Sequence, residues 1–247
     1  MTRGRSGGIA VVLLVALVCV LTAPVGARDV KIGKAEDYDP VISPADFQDA
    51  GGDLLPIDNP WWPMTPGTTY VYEDTEGEEH NEVYVTHETK EILGVTCTVV
   101  RDRVWVEGEL VEETLDWYAQ DKDGNVWYFG EDSKEFVDGQ VIPLGSWEAG
   151  VDGAKPGILM LASPRSGDSY RQEFLEDEAE DMGKVLRLAG HASVPYGSFY
   201  SCLVVKEWTP LDRGTVEFKY YAPGVGLVLV VEGSGGPSTR IELIEVN

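Results

Sequence analysis

Residues 194–231, VPYGSFYSCLVVKEWTPLDRGTVEFKYYAPGVGLVLVV, constrain the fold most. Three runs rich in β-branched and aromatic residues are separated by Leu211-Asp212-Arg213-Gly214 and Ala222-Pro223-Gly224. Turn residues at that spacing reverse an extended chain, so the three runs read as an antiparallel meander. The same grammar recurs upstream. Residues 68–72 and 82–86 flank an acidic turn at 74–79, and Glu107-Gly108 returns the chain into residues 110–118. The pattern predicts a mainly β fold: a strongly curved antiparallel sheet or open half-barrel with one or two short helices. The acidic stretch 175–182 reads either as a short surface helix or as a solvated excursion between strands.

The N-terminus sets the compartment. Arg3 and Arg5 precede an apolar run over residues 9–21, Pro24 breaks it, and Val25-Gly26-Ala27 supplies small residues for a signal peptidase. Residues 1–27 therefore read as a secretory signal peptide cleaved near Ala27, giving a secreted, extracytoplasmic product. The run is shorter than the ~20 residues of a membrane span, so no transmembrane span is expected in the mature chain. Val18 precedes Cys19 where a lipid-anchored protein needs a small residue. Residues 28–57 read as an extended or mobile N-terminal arm, and residues 58–247 as one β domain.

Charge excludes some partners. The chain of 247 residues carries a net charge of −24, and loss of Arg3 and Arg5 with the leader takes it to about −26. No part of the mature chain is basic enough to neutralise a phosphate backbone, so nucleic acid is not an expected partner. The charge reads first as solubility outside the cell and second as a means of attracting cations or a basic partner. Cys97 and Cys202 remain after cleavage, both in strand-like runs. They either close one disulfide, as an oxidising compartment permits, or stand as two buried thiols.

Catalytic and metal signatures are sparse. No G-x-S-x-G elbow is present, and the Gly233-Ser234-Gly235-Gly236 segment reads as a hairpin loop. His80, His87 and His191 lack zinc spacing, and no C-x-x-C occurs. Asp121, Asp123 and Asn125 alternate as calcium ligands do, but Gly124 precedes the third ligand and no Glu closes the loop, so the segment reads as a hairpin turn. No catalytic residue, metal or cofactor is assigned. Asp116, Glu131, Glu148 and Glu207 each lie near an aromatic residue and form the pool from which a two-carboxylate glycan hydrolase would draw.

Aromatic residues carry the binding expectation. If Lys122-Asp123-Gly124 is a three-residue loop with Gly124 left-handed, Ala119 faces Trp127 and Trp117 faces Phe129. Trp117, Trp127 and Phe129 then share one face, with Tyr118, Gln120, Val126 and Tyr128 on the other. A two-residue loop at Asp123-Gly124 would exchange the partners. Residues 146–157 are Gly-rich and deliver the apolar run 158–161, either a lid with an apolar tip or a strand entering the core. Pro60-Trp61-Trp62-Pro63 reads as a plug or strap against one end of the sheet, or as a sugar platform.

Residues 116–131, DWYAQDKDGNVWYFGE, resemble a family of secreted bacterial proteins of unknown function, as do Tyr196-Gly197-Ser198-Phe199, residues 207–211 and residues 221–228. The A-P-G-V-G segment at 222–226 also resembles a closing hairpin of bacterial envelope proteins built on an open half-barrel sheet. The resemblance implies an extracytoplasmic β fold and brings no catalytic residues. These readings converge on a secreted, non-enzymatic binding or envelope-associated module for an apolar or amphipathic ligand, with Trp117, Trp127, Phe129 and Met160 as contacts. The alternatives are an extracellular glycan hydrolase using paired carboxylates and a purely structural surface protein.

Overall fold

Long β-branched and aromatic runs become long strands. In β2 (Glu79–Ile92), β3 (Val95–Val106), β4 (Glu109–Gln120) and β5 (Val126–Val137), side chains alternate between faces as a pleated backbone requires. β1 (Thr69–Asp74) precedes them. Shorter strands follow: β6 (Gln140–Pro143), β7 (Trp147–Glu148), β8 (Lys155–Met160), β9 (Ser169–Arg171) and β10 (Glu173–Phe174). The C-terminal half comprises β11 (Met182–Val194), β12 (Gly197–Trp208), β13 (Glu217–Ala222), β14 (Gly226–Glu232) and β15 (Arg240–Val246). The computed structural model describes residues 38–143, 145–212, 214–233 and 239–247. The expected signal peptide with its cleavage point at Ala27, the first part of the arm, and the loop at 234–236 lie outside the described residues.

Every pairing is antiparallel, in the order β10-β8-β5-β4-β3-β2-β1-β15-β14-β13-β12-β11-β9, with β6 and β7 alongside β5. The sheet curls into a barrel that is nearly closed, with one seam where its two ends, β9 and β10, approach each other. The expected curved antiparallel sheet is present and is closed further than a half-barrel. Among the described residues the helical content is one 3-10 turn, Pro44–Phe47. Residues 175–179 form a turn closed by a Leu175–Ala179 bridge instead of a helix. The meander read at 194–231 is β12, β13 and β14, paired as successive neighbours.

The hairpin register is part of what positions the interior. Ala119 lies opposite Trp127 and Tyr118 opposite Tyr128, as the three-residue loop requires. Trp117 does not lie opposite Phe129, because Asp116 pairs with Glu131 and the extra residue sits on β5. Gly130 absorbs this bulge at φ 132°, and a Cβ there would lie 2.2 Å from the Trp147 carbonyl oxygen. The close approach of β7 thus sets a register that hairpin spacing alone does not. At the seam, a Cβ on Gly157 would lie 2.2 Å from the Gln172 carbonyl, so β8 can reach the β9–β10 crossing only with glycine there.

One face of β3, β4 and β5 looks into the barrel. Trp62 fixes this, since its ring contacts Tyr118 on β4 (6.2 Å) and Tyr221 on the distant β13 (5.8 Å). The Pro60–Pro63 segment therefore plugs one end of the barrel, whose wall there is apolar. A small cavity beside the plug, lined by Trp62, Met64, Tyr70 and Leu227 among others, has room for about one water. The other end of the lumen is polar and mainly acidic. The opposite face of β3–β5 is covered by the arm. Phe47 packs edge-on against Phe129 (5.5 Å) and Trp127 (6.4 Å), and Lys122 binds the backbone carbonyls of Ala45 and Asp46. Tyr38 straps the outside of the seam, with its hydroxyl donating to the Pro156 carbonyl and its ring against Phe174.

Candidate functional site

The four aromatic and apolar residues read as ligand contacts are all packed. Trp117, Trp127 and Phe129 share the outer face under the arm, where the Lys90 ammonium sits 3.2 Å from the Trp117 ring centroid. Met160 pairs with Val126 and belongs to the luminal face, away from the other three. Trp117, Phe129 and Met160 are buried and Trp127 is partly so. The apolar run that carries Met160 enters the sheet as β8 and does not form a lid. Cys97 and Cys202 are two free buried thiols, not a disulfide. Cys97 is on β3 and Cys202 on β12, with five strands between them in the sheet order. Burial pushes both thiols up, Cys97 the more strongly.

Of the four acids near aromatics, the fold brings together Asp116 and Glu131. They are cross-strand partners on the luminal face, 0% and 2% exposed. The Tyr128 hydroxyl lies 2.8 Å from Asp116 Oδ1 and 2.9 Å from Glu131 Oε2. Tyr118 stacks on Tyr128 at 4.9 Å, and Trp147 meets it edge-on at 5.2 Å. Glu173 of β10, 4% exposed, completes the group from the seam. The Tyr118 hydroxyl acts on Asp116 and the Trp147 N–H on Glu173. Neither donor reaches hydrogen-bond geometry, and Asp116 Oδ2 and Glu173 Oε2 are also left without a bond. Burial, reinforced by repulsion from neighbouring acids (Asp102 and Glu112 for Asp116, Asp116 and Glu173 for Glu131, Asp181 and Asp116 for Glu173), holds all three carboxyls well above the ordinary carboxylate range.

The acidic lining continues toward the polar end. Asp102 accepts from the Asn81 amide, and burial still pushes it up to about 7. The Thr114 hydroxyl bridges Glu112 (3.0 Å) and Ser133 (2.9 Å), and burial together with Asp102 pushes Glu112 up to about 8. Across the lumen, Lys219 lies 2.7 Å from Glu207 and 3.2 Å from Glu217, and Tyr221 donates to Glu207 at 3.0 Å. Burial alone would lower the Lys219 pKa, but the two carboxylates outweigh it and hold the ammonium charged. Glu207 thus belongs to an ion-paired cluster, and Glu148 pairs with Lys90 at 2.6 Å outside the lumen.

This arrangement supports proton storage better than hydrolysis. A glycosidase needs its two carboxyls on either side of a sugar-sized opening; Asp116 and Glu131 are joined through one hydroxyl inside a packed wall. Among the described residues no group of three or more His, Cys, Asp or Glu has a metal-holding arrangement. Among the same residues, no helix is long and apolar enough to cross a membrane. Sequence reasoning picked out Asp116 and Glu131 only as acids near aromatics, and it missed Glu173. The available signal was the hairpin register, which puts Asp116, Tyr118 and Tyr128 on one face.

No protein-family profile matches the chain, and no curated protein does. Two solved structures are similar in outline. One is a protein from Bacteroides fragilis, named as exported and as having a YmcC-like fold, at TM-score 0.45 and 13% identity over 76% of this chain and 98% of that one. The other is a protein from Parabacteroides distasonis, named as a lipoprotein, at TM-score 0.42 and 14% identity over the same shares. The likeness is loose and carries no argument about this chain.

Proposed function

We propose that the protein is an extracytoplasmic, non-enzymatic envelope-associated module that engages an apolar or amphipathic partner on the outer face of β3–β5. The leader-like residues 1–27 and the acidic composition support the compartment. The observation that carries the binding reading is Phe47. An apolar ring from a separate segment fills the aromatic surface of Trp127 and Phe129, so this surface accepts an apolar group that the sheet itself does not supply. A ligand there would replace Phe47 and lift the 3-10 turn. Met160, on the luminal side, takes no part.

Native mass spectrometry and a lipid-extract pulldown of the mature chain, with and without Phe47→Ala, test the reading. The expected result is an apolar adduct that Phe47→Ala strengthens and Trp127→Ala weakens. No adduct in either form would leave the purely structural reading in its place. Turnover of a glycan that Asp116→Asn abolishes while the fold persists would establish the hydrolase instead.

A further inference from the structure

The Tyr128 hydroxyl has one hydrogen and lies within hydrogen-bond distance of two carboxyls, Asp116 Oδ1 at 2.8 Å and Glu131 Oε2 at 2.9 Å. It donates to one of them. The second carboxyl must then donate to the hydroxyl lone pair, which requires a proton on that carboxyl. Two ionised carboxylates would leave one oxygen facing the phenol oxygen with no hydrogen between them, among side chains 2% exposed or less. We infer that Asp116, Tyr128 and Glu131 form a proton-binding site in the barrel wall and that loss of this proton loosens the seam at Glu173.

The link to the seam is geometric. Glu173 belongs to β10, a two-residue strand at one end of the sheet, held by pairing with Pro156 and Lys155. Gln172 alone separates it from β9 at the other end. A new charge on Asp116 or Glu131 acts on a strand held by two residue pairings.

The groups facing the site do not offset that charge. Asp116 feels Asp102 from β3 and Glu112 from its own strand; Glu131 feels Asp116, Glu112 and Glu173; Glu173 feels Asp181 and Asp116. Tyr118 and Tyr128 are held neutral by burial, and Trp147 offers only an N–H. Of the nearby cations, Arg171 pairs with Glu180 (3.5 Å), Lys155 with Asp39 (3.2 Å), and Lys219 is held by Glu207 and Glu217 while acting on Asp102.

Two measurements on the mature protein test this. Infrared spectroscopy at neutral pH reads the carbonyl stretch of a buried protonated carboxyl; the band is expected in the wild type and reduced in Glu131→Gln. Hydrogen exchange, corrected for intrinsic rate, reads opening of β8, β9 and β10 from about pH 6 to about pH 9. An opening linked to one proton grows by up to about tenfold per pH unit. Glu131→Gln, whose amide still donates to Tyr128, should flatten that slope. Absence of the protonated band in the wild type overturns the inference whether or not the variant folds. A seam slope that is absent in the wild type, unchanged in Glu131→Gln, or spread evenly over the sheet overturns it as well.

Discussion

Two clusters of buried acids sit in one lumen and are made tolerable in different ways. Around Lys219, Glu207 and Glu217 are compensated by a cation, with Lys219 itself 5% exposed. Around Tyr128, Asp116 and Glu131 share one phenol hydroxyl, Glu173 lies beside them, and no cation is among the groups that shift the three. The first cluster is held by Coulomb attraction, which repays desolvation only when every partner is in place. The second avoids the charge by keeping protons. The difference teaches that burial of an acid does not by itself mark a reactive site, because a closed barrel can store acids in either form.

The contrast can be broken most severely at Lys219. Lys219→Met leaves Glu207 and Glu217 buried without their cation and should cost about 3–5 kcal/mol at neutral pH by urea denaturation, with part of the loss recovered in acid. An equal loss at pH 5 would mean that packing, not charge, was removed. Tyr128→Phe keeps the ring stack and deletes the shared hydroxyl, which should cost about 1–3 kcal/mol. A negligible cost would deny the hydroxyl its bridging role.

The pH profile sharpens the comparison. Acids whose folded pKa is raised contribute stability that is fully present below their unfolded values near 4 and is lost as pH rises through the folded ones. With Asp102 at about 7 and Glu112 at about 8, the wild type should be most stable in mild acid and weaken from about pH 5 to pH 8. Equilibrium unfolding across that range is the check, and stability that rises with pH would contradict the assignment. Glu131→Gln should be near neutral at pH 5 and flatten the loss of stability above it, since it removes one cost of ionising the node. The smallest effect belongs to the surface. Glu82→Gln breaks the 2.8 Å Arg103 pair, which is about one-third exposed, and should change stability by about 0–1 kcal/mol.

What was legible in the chain follows from the range of each interaction. The meander of β12, β13 and β14 was readable because its turns are written locally at residues 211–214 and 222–224. The Ala119–Trp127 register was readable for the same reason. The Gly130 bulge was not, because Trp147 arrives from another strand to set it. Asp116 and Glu131 were noted among 43 acidic residues, where adjacency to an aromatic says little. Their meeting at Tyr128 depends on that bulge. Glu173 depends on closure of the whole barrel, and no local pattern encodes that. Compartment and number leave open whether Cys97 and Cys202 pair, because both are blind to the five strands between them.

The crossing at Gln172 also governs how the chain can assemble. β9 and β10 are near neighbours in sequence but belong to opposite ends of the sheet, and β1 must wait for β15, more than 160 residues later in the chain. A chain delivered N-terminus first would present the β1–β8 meander with both edges open before the second half arrives. Such edges invite pairing with other chains, and closure over so long a sequence separation is slow. The half-built barrel, more than the finished one, is therefore the species most exposed to pairing with the wrong chain.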